Sequence, residues 1–188
     1  KYAKKIRIEL IFAVFGSHSL SLVLKYKFKY IKIASSEITN LNLLAKVANN
    51  FEYVILYTGM SSEKDIVLAR ETLSNFGKSK IIVLHCVADY PTNIKDLNLS
   101  FIDTLRVLKF HKIGFSDHTE SNIPSIVSIG KGCEFFEKHI TLSRKDEGPD
   151  HFYASEPNEF KQYVSDIKDA FKSLGVNKKF FSDSERKY

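Results

Sequence analysis

The sequence predicts an α/β protein made of repeated βα units, arranged as an incomplete (β/α)₈ TIM-type barrel. Short apolar runs rich in β-forming residues alternate with segments of helical periodicity, which is the pattern of parallel strands joined by helices. Polar residues follow these runs at intervals of 23, 27, 31 and 21 residues, near Ser35, Thr58, His85, Ser116 and Glu137. Right-handed crossovers bring the carboxyl ends of parallel strands to one face, where barrel enzymes carry their active sites.

A barrel is favoured over a doubly wound sheet because polar residues end five consecutive strands instead of gathering at one switch point. About six βα units are visible, whereas a barrel has eight and typically ~250 residues. We therefore expect a partial barrel over residues 1–175 and a loosely ordered tail over residues 176–188. The chain does not begin with methionine, which suggests a fragment or a trimmed product.

The composition is that of one soluble domain. The 188 residues are 44% hydrophobic and 27% charged, and the net charge of +6 is typical of a lysine-rich surface in water, so we expect no nucleic-acid partner. No apolar run approaches the ~20 residues of a membrane span. Glu9 interrupts the run near the start, which argues against a secretory signal. Cys86 and Cys133 lie in apolar runs without a disulfide pattern, which favours a cytoplasmic location.

Strands are predicted over residues 8–15, 30–34, 53–56, 81–84, 113–115 and 133–136. Thr39 or Asn40 caps the helix that follows the second strand. Ser61 or Ser62 caps the next helix, and we expect Gly77 to end it as a left-handed C′ residue. Further helices are predicted over 99–108, from the first-turn Pro124 onward, and from Pro157 to Gly175. The helix after Pro124 carries Ile123, Ile126, Val127 and Ile129.

One basic and aromatic stretch has two interpretations. Residues 25–30 alternate lysines with Tyr and Phe, which on a sheet face could stack bases. We favour a connector and strand edge whose lysines lie in water.

Two histidines end adjacent predicted strands. His118 and His139 are 21 residues apart, so the fold can bring both imidazoles to one divalent metal such as Mn, Fe, Co or Zn. A histidine at a strand end is also commonly a hydrogen-bonded loop residue, and from the spacing both interpretations remain open. His85 is a third candidate, but its apolar setting favours a hydrogen-bonded core histidine.

Several charged residues are candidates for substrate chemistry. Lys32 lies in an otherwise apolar strand, and a lysine that points into a barrel mouth requires an anion, either phosphate or carboxylate. The alternative is an outward lysine whose ammonium reaches water between helices. Glu37, Glu137 and Asp150 are candidate acid/base or hydroxyl-binding carboxylates, with surface or helix-cap roles as the alternative.

A set of motifs occurs in order along the chain: Lys32-Ile33-Ala34-Ser35-Ser36-Glu37, Thr58-Gly59-Met60, Leu84-His85-Cys86, Tyr90-Pro91-Thr92, Gly114 to Thr119, Glu137 to Thr141, Gly148-Pro149-Asp150-His151 and Ser155-Glu156-Pro157. Together, from about Phe12 to Gly175, they resemble the sialic acid (N-acetylneuraminate) synthase family and its legionaminic and pseudaminic acid relatives. An ordered set of this kind is far more specific than any one member.

The resemblance implies a (β/α)₈ barrel that condenses phosphoenolpyruvate with N-acetylmannosamine or a related 2-acetamido sugar and releases phosphate. It implies Mn²⁺ or Mg²⁺ held by His118 and His139. By the same resemblance, phosphoenolpyruvate is held by Lys32, Ser35 and Ser116, and the sugar lies near Glu37, Tyr90, Glu137 and Asp150. A homodimer of the full-length protein, with a C-terminal antifreeze-like domain that this chain lacks, is also implied.

Three positions depart from the family pattern. Ala13 stands where the family has a threonine, Tyr57 where it has a serine, and Ala88 where it has an asparagine. All three correspond to phosphoenolpyruvate contacts, and the Tyr57 ring would obstruct the phosphate pocket. The first two βα units of the family are also missing. The alternative to an active synthase is therefore a catalytically silent relative that binds a ligand or a partner.

Overall fold

The computed structural model describes residues 2–187 of the chain. Its central element is one parallel β-sheet. Its six strands are β1 (Phe12–Val14), β2 (Tyr30–Ile33), β3 (Tyr53–Tyr57), β4 (Lys80–His85), β5 (Lys112–Asp117) and β6 (Phe135–Lys138). Each strand pairs in parallel with the next one in the chain. The sheet curls far enough for a β2 side chain to contact one on β6. It is a half-barrel, which confirms the predicted incomplete (β/α)₈ architecture.

Helices connect these strands. They are α1 (Tyr2–Lys5), α2 (Gly16–Val23), α3 (Leu41–Val47), α4 (Glu63–Phe76), α5 (Phe101–Val107), α6 (Ile123–Gly130) and α7 (Pro157–Ser173), with 3₁₀ turns at Ser35–Glu37, Ile94–Asp96 and Glu185–Lys187. The structure selects between the alternative caps. Asn40 accepts a hydrogen bond from the Leu43 amide at the start of α3, and Ser62 forms a capping box with Asp65 at the start of α4.

Side chains alternate between the two faces of the sheet, as the two-residue period of a strand requires. The outer face packs on the helices through a core that includes Ile31, Ile33, Val54, Leu56, Ile81, Val83, Ile113 and Phe115. The inner, concave face carries Ile55, Tyr57, Ile82, Leu84 and Cys86. Tyr30 and Tyr53 stack on each other with ring centroids 4.8 Å apart. Both are packed against this inner cluster, with Lys29 beside their rings.

Gly77 follows α4 for a different reason from the predicted one. Its φ is −165°, which is extended backbone, so the expectation of a left-handed C′ residue was wrong. A Cβ at this position would lie 2.0 Å from the Ala48 carbonyl oxygen. The close approach of two backbones therefore requires glycine here. Gly175 does adopt the left-handed conformation after α7, with φ +57°.

The buried face of α6 is not its most apolar one. Ile129 is buried, but Ile123, Ile126 and Val127 are exposed by 63%, 38% and 45%. Ser125 and Ser128 are buried in their place. The reason is a buried carboxylate, because the Ser125 hydroxyl donates a 2.7 Å hydrogen bond to Asp117. The helix is oriented by this polar contact and not by its most apolar side.

Three strands differ most from the predicted bounds. β1, predicted over residues 8–15, comprises only Phe12–Val14. β5 continues to Asp117, and β6 begins at Phe135 and includes Glu137 and Lys138.

Within residues 2–187, none of the helices combines the length and apolar character of a membrane span.

Replacing Gly77 with alanine is expected to destabilise the protein by about 2 kcal/mol or more, because the new Cβ overlaps a backbone oxygen that cannot rotate away. Urea unfolding measures the change. Gly130→Ala is the control, since no heavy atom lies within 4 Å of its Cβ position, and it should change stability by no more than about 1 kcal/mol. Equal stabilities for the two variants would contradict the proposed close approach.

Candidate active site

An ion pair spans the concave face between β2 and β6. The Lys32 ammonium lies 3.0 Å from both carboxylate oxygens of Glu137. It also lies 4.1 Å from the centroid of the Tyr57 ring, which is buried. Lys32 thus points into the barrel mouth as one of the two sequence interpretations expected. The anion that accompanies it here is Glu137.

Ser116 links this ion pair to the histidines. Its hydroxyl lies 3.0 Å from Glu137 Oε1 and 3.1 Å from His118 Nε2. A hydroxyl has a single proton, so Ser116 can donate to only one of these acceptors at a time. When it donates to Glu137, the Nε2 lone pair of His118 is left without that donor.

The protonation states of the cluster follow from its charges. Burial disfavours the charged form of Glu137, but Lys32, Tyr57 and Ser116 outweigh it and lower the pKa of this carboxyl below its ordinary value. Burial and the neighbouring Glu137 carboxylate raise the pKa of Tyr57. At neutral pH Glu137 is therefore a carboxylate and Tyr57 a neutral phenol.

The two histidines at the ends of β5 and β6 face each other. Their ring centroids are 5.5 Å apart with an interplanar angle of 84°. His118 Nδ1 lies 2.7 Å from the Val87 carbonyl oxygen, so this nitrogen carries the proton and donates it. Burial lowers the pKa of His118, which keeps the imidazole neutral with an unprotonated Nε2. Neutral imidazole is the form that binds a metal.

A divalent ion fits this donor set only in part. Within residues 2–187, no group of three or more His, Cys, Asp and Glu side chains is arranged to hold a metal. The pair therefore offers nitrogens alone, and water or substrate oxygens would have to supply the remaining ligands. Mg²⁺ commonly keeps several waters in this way, and imidazole suits transition metals such as Mn²⁺.

Tyr90 and Asp150 lie beside the histidine pair. The Tyr90 ring centroid is 4.3 Å from that of His118 and 5.7 Å from that of His139. Asp150 Oδ2 is 3.8 Å from His139 Nδ1, and its side chain is 64% exposed. An aromatic ring and an accessible carboxylate thus border the imidazoles, which is a suitable environment for a hydroxylated ligand.

Two predicted site residues lie elsewhere on the rim. Ser35 Oγ is 3.7 Å from Cys86 Sγ, on the neighbouring part of the concave face. Glu37 accepts a 2.8 Å hydrogen bond from Asn40, the residue that caps α3. Glu37 therefore has the helix-cap contact that the sequence left open as its alternative.

His85 is part of the outer core. Its Nε2 lies 2.7 Å from the Leu97 carbonyl oxygen, and burial lowers its pKa. Its Nδ1 is buried and has no hydrogen-bond partner among the described residues. It faces the helices and not the concave face, as expected for a core histidine.

A second ion pair, behind the first, was not predicted. The Lys138 ammonium lies 3.1 Å from Asp117 Oδ2, and their side chains are only 4% and 0% exposed. Asp117 also accepts hydrogen bonds from Thr119 and Ser125. The alternation of side chains along β6 could have indicated this ion pair. Because Glu137 faces inward, Lys138 must face the helices, where a buried ammonium requires an anion.

Tyr153 was also missed. Its hydroxyl lies 2.9 Å from His139 Nδ1, and the residue is 3% exposed. Nothing in the local sequence distinguishes it from an ordinary core tyrosine, because the contact depends on the course of the loop between β6 and α7.

Comparisons with known proteins agree on a family. The profile of the NeuB family matches residues 1–179. An uncharacterised protein of Methanocaldococcus jannaschii is 40% identical over 186 residues, which are 99% of this chain and 55% of that protein. The N,N'-diacetyllegionaminic acid synthase of Campylobacter jejuni is 35% identical over 188 residues, covering 99% of this chain and 56% of the synthase.

A solved structure gives the same result. The N-acetylneuraminic acid (sialic acid) synthetase of Leptospira borgpetersenii, crystallised with citrate, has a TM-score of 0.90 and 33% identity over 98% of this chain and 65% of its own. The chain spans about half the length of the curated relatives it matches.

Replacing Asp117 with alanine is expected to destabilise the protein by about 3–5 kcal/mol, because it leaves a buried ammonium without its partner. Chemical unfolding measures this. Asp103→Ala is the matched control: Asp103 pairs with Lys131 at 2.6 Å but is 55% exposed, so its loss should cost no more than about 1 kcal/mol. A small loss for Asp117→Ala would contradict the structural role of the pair.

Replacing Lys32 with methionine is expected to raise the pKa of Glu137, because the ammonium that opposes the effect of burial is removed. In the native protein the lowered pKa of Glu137 stabilises the folded state at pH values above 4.5, the ordinary pKa of glutamate. This stabilisation is lost as the pH falls through the lowered pKa. The variant should lose this acid dependence.

NMR titration of the Glu137 carboxyl carbon measures the pKa directly. Lys29→Met serves as the control, since Lys29 lies near Glu52 and the Tyr30 and Tyr53 rings. An unchanged Glu137 titration in Lys32→Met would show that the ion pair does not set this pKa.

Proposed function

The chain belongs to the NeuB family, and we propose on that basis that it carries the phosphoenolpyruvate-dependent condensation of a 2-acetamido sugar, such as N-acetylmannosamine, to a nonulosonic acid. Relatives named as synthases of legionaminic and pseudaminic acid support the class of product. In this reaction the methylene carbon of phosphoenolpyruvate bonds to the sugar aldehyde carbon, water adds to the oxygen-bearing carbon, and phosphate departs. A cytoplasmic homodimer of the full-length protein is part of the proposal.

The position of Ser116 is the observation that supports the proposal most directly. Its hydroxyl reaches both Glu137, the partner of Lys32, and His118, one of the two facing imidazoles. A cation suited to an anionic substrate and a nitrogen pair suited to a metal are thus adjacent on one rim. Two substrates bound there would meet, and positioning of this kind is a large part of catalysis in two-substrate reactions.

Lys32 is the proposed phosphoenolpyruvate anchor, together with Ser35 and Ser116. Its ammonium is paired with Glu137, so an incoming phosphate or carboxylate would take the place of that carboxylate. Glu137 would then be free to accept a hydrogen bond from a sugar hydroxyl. Asp150, which is exposed beside His139, and Glu37 offer further carboxylates, and Tyr90 offers a ring face.

His118 and His139 would hold Mn²⁺ or Mg²⁺, which when bound supplies Lewis-acid polarisation of the sugar carbonyl. The neutral state of His118 and the donation of its Nδ1 proton to Val87 support this role.

A second candidate function is favoured by Tyr57. The ring is buried on the concave face with its centroid 4.1 Å from the Lys32 ammonium, so it takes up space beside the group proposed to hold a phosphate. Together with Ala13 and Ala88, it supports a catalytically silent relative that binds ligand without turnover. The same assay separates this candidate from the synthase.

The test is phosphate release from phosphoenolpyruvate in the presence of Mn²⁺ and a panel of 2-acetamido sugars, with phosphoenolpyruvate binding measured by calorimetry. A synthase releases phosphate with at least one sugar. Lys32→Met should weaken phosphoenolpyruvate binding about 10- to 100-fold through loss of a charged contact, whereas Lys29→Met should not. Binding without release supports the silent relative, and neither binding nor release rejects both candidates.

A further inference from the structure

The edge of the sheet at β1 carries an apolar groove. Within residues 2–187, β1 pairs with β2 on one side only and is an end strand of the sheet. The groove beside it has a volume of about 1020 Å³ and is lined by α1, the segment from α1 into β1, α2 and the residues before β2. Strands of a parallel sheet are normally covered on both faces, so an open groove at this strand indicates a surface for another element.

The lining of the groove is exposed as well as apolar. Leu10, Phe12 and Leu22 are 44%, 40% and 47% exposed, and Tyr26 is 66% exposed. The Phe12 ring packs on the half-buried Phe28 ring, with centroids 4.8 Å apart. Grouped apolar side chains of this kind mark interaction sites, because leaving them in water is unfavourable.

The layer of helices indicates which element fits the groove. On the outer face of the sheet α2 packs against α3, and α3 packs against α4. The α2 residue Ser17 contacts Lys46 of α3, whereas Leu22 of α2 lines the groove. Five residues along a helix correspond to a rotation of about 140°, so these two side chains point to different sides of α2. A further helix in the groove would therefore flank α2 on the side away from α3.

The charges at the groove specify the partner further. Lys4, Arg7 and Lys27 line it, and Glu9 is the acidic residue of the lining. Among the described residues, none of these three cations belongs to an ion pair. Complementary charges across an interface favour the right partner and like charges reject the wrong one. We propose that this groove is the docking site of an acidic amphipathic helix of a partner protein.

Two other occupants fit less well. A second copy of the chain, docked through the same groove about a two-fold axis, would bring the cations of both copies together. A lipid surface is matched by an amphipathic helix that presents its apolar face outward. Here the apolar side chains line a concavity, which suits an inserted helix.

Binding of designed peptides to the whole chain tests the proposal. The first peptide has 14 residues, the length of α4, with leucines on one helical face and glutamates elsewhere. A second peptide has lysine in place of every glutamate. A third has the composition of the first, but its leucines are scattered so that no apolar face can form.

Fluorescence anisotropy measures the three affinities. We expect the glutamate peptide to bind at least about 10-fold more tightly than either of the others, and less tightly as the salt concentration rises. Equal affinities, or no binding of the glutamate peptide at about 1 mM, would overturn the inference.

Substitutions locate the binding surface. Leu22→Asp is expected to weaken binding of the glutamate peptide about 10-fold or more, because it puts a like charge into the apolar lining. Leu68→Asp is the matched control: Leu68 lies on α4, away from the groove, and is also 47% exposed. Urea unfolding confirms that both variants are folded. An equal loss of binding in the two variants would count against the groove.

A charge reversal separates the acidic partner from a merely apolar one. In the double variant Lys4→Glu, Arg7→Glu the cationic side chains of the lining become anionic. We expect the preference to invert, with the lysine peptide binding more tightly than the glutamate peptide. An unchanged preference would overturn the proposed charge selection, because loss of structure alone would weaken both peptides together.

Two further measurements decide against the other occupants. Sedimentation of the chain alone should show a monomer, and a dimer that Leu22→Asp dissociates would show that a second copy fills the groove. Phosphatidylglycerol vesicles should not compete with the glutamate peptide. Vesicle binding that Leu22→Asp abolishes, without peptide binding, would identify a lipid surface instead. These outcomes are independent of phosphate release, since the substituted residues lie outside the candidate active site.

Discussion

The structure depends on parallel pairing of six strands in chain order, because this pairing fixes both the direction and the face of every side chain on the sheet. One direction puts all the carboxyl ends on one rim. The two-residue alternation then sends Lys32, Tyr57, Ser116 and Glu137 to the concave side. The curl of the sheet brings β2 and β6 close enough for Lys32 to bond Glu137, although 105 residues separate them in the chain. The cluster follows from backbone geometry before any ligand is considered.

The adjacent residues Glu137 and Lys138 show how alternation separates two kinds of ion pair. Glu137 pairs with Lys32 on the concave side, where both side chains retain 25–31% exposure and a competing anion has access. Lys138 pairs with Asp117 on the helix side, where exposure is 4% or less and no solvent ion can substitute. The first pair is exchangeable and suits binding, whereas the second joins the sheet to α6 through Ser125.

Much of the fold could be predicted from local signals. The strands, the caps at Asn40 and Ser62, and the opposition of His118 and His139 follow from periodicity, capping chemistry and strand spacing. Local signals do not reveal contacts between distant parts of the chain. Gly77 meets the backbone of Ala48, and the polar face of α6 meets Asp117. Tyr153 reaches His139 only because a loop returns to its own base. Periodicity within a segment contains no information about such neighbours.

Because the loop after β6 is closed at its base, its interior can change in length and sequence without moving its two ends. The bridge between Ile140 and Ser155 makes the entry and exit of the loop independent of its interior. The entropy of closing a flexible loop grows only with the logarithm of its length, by about 0.6 kcal/mol for each doubling. Insertions and deletions between the two anchors are therefore inexpensive, while β6 and α7 remain in place. This loop is where a lineage can diversify the groups presented beside His139 without rebuilding the barrel.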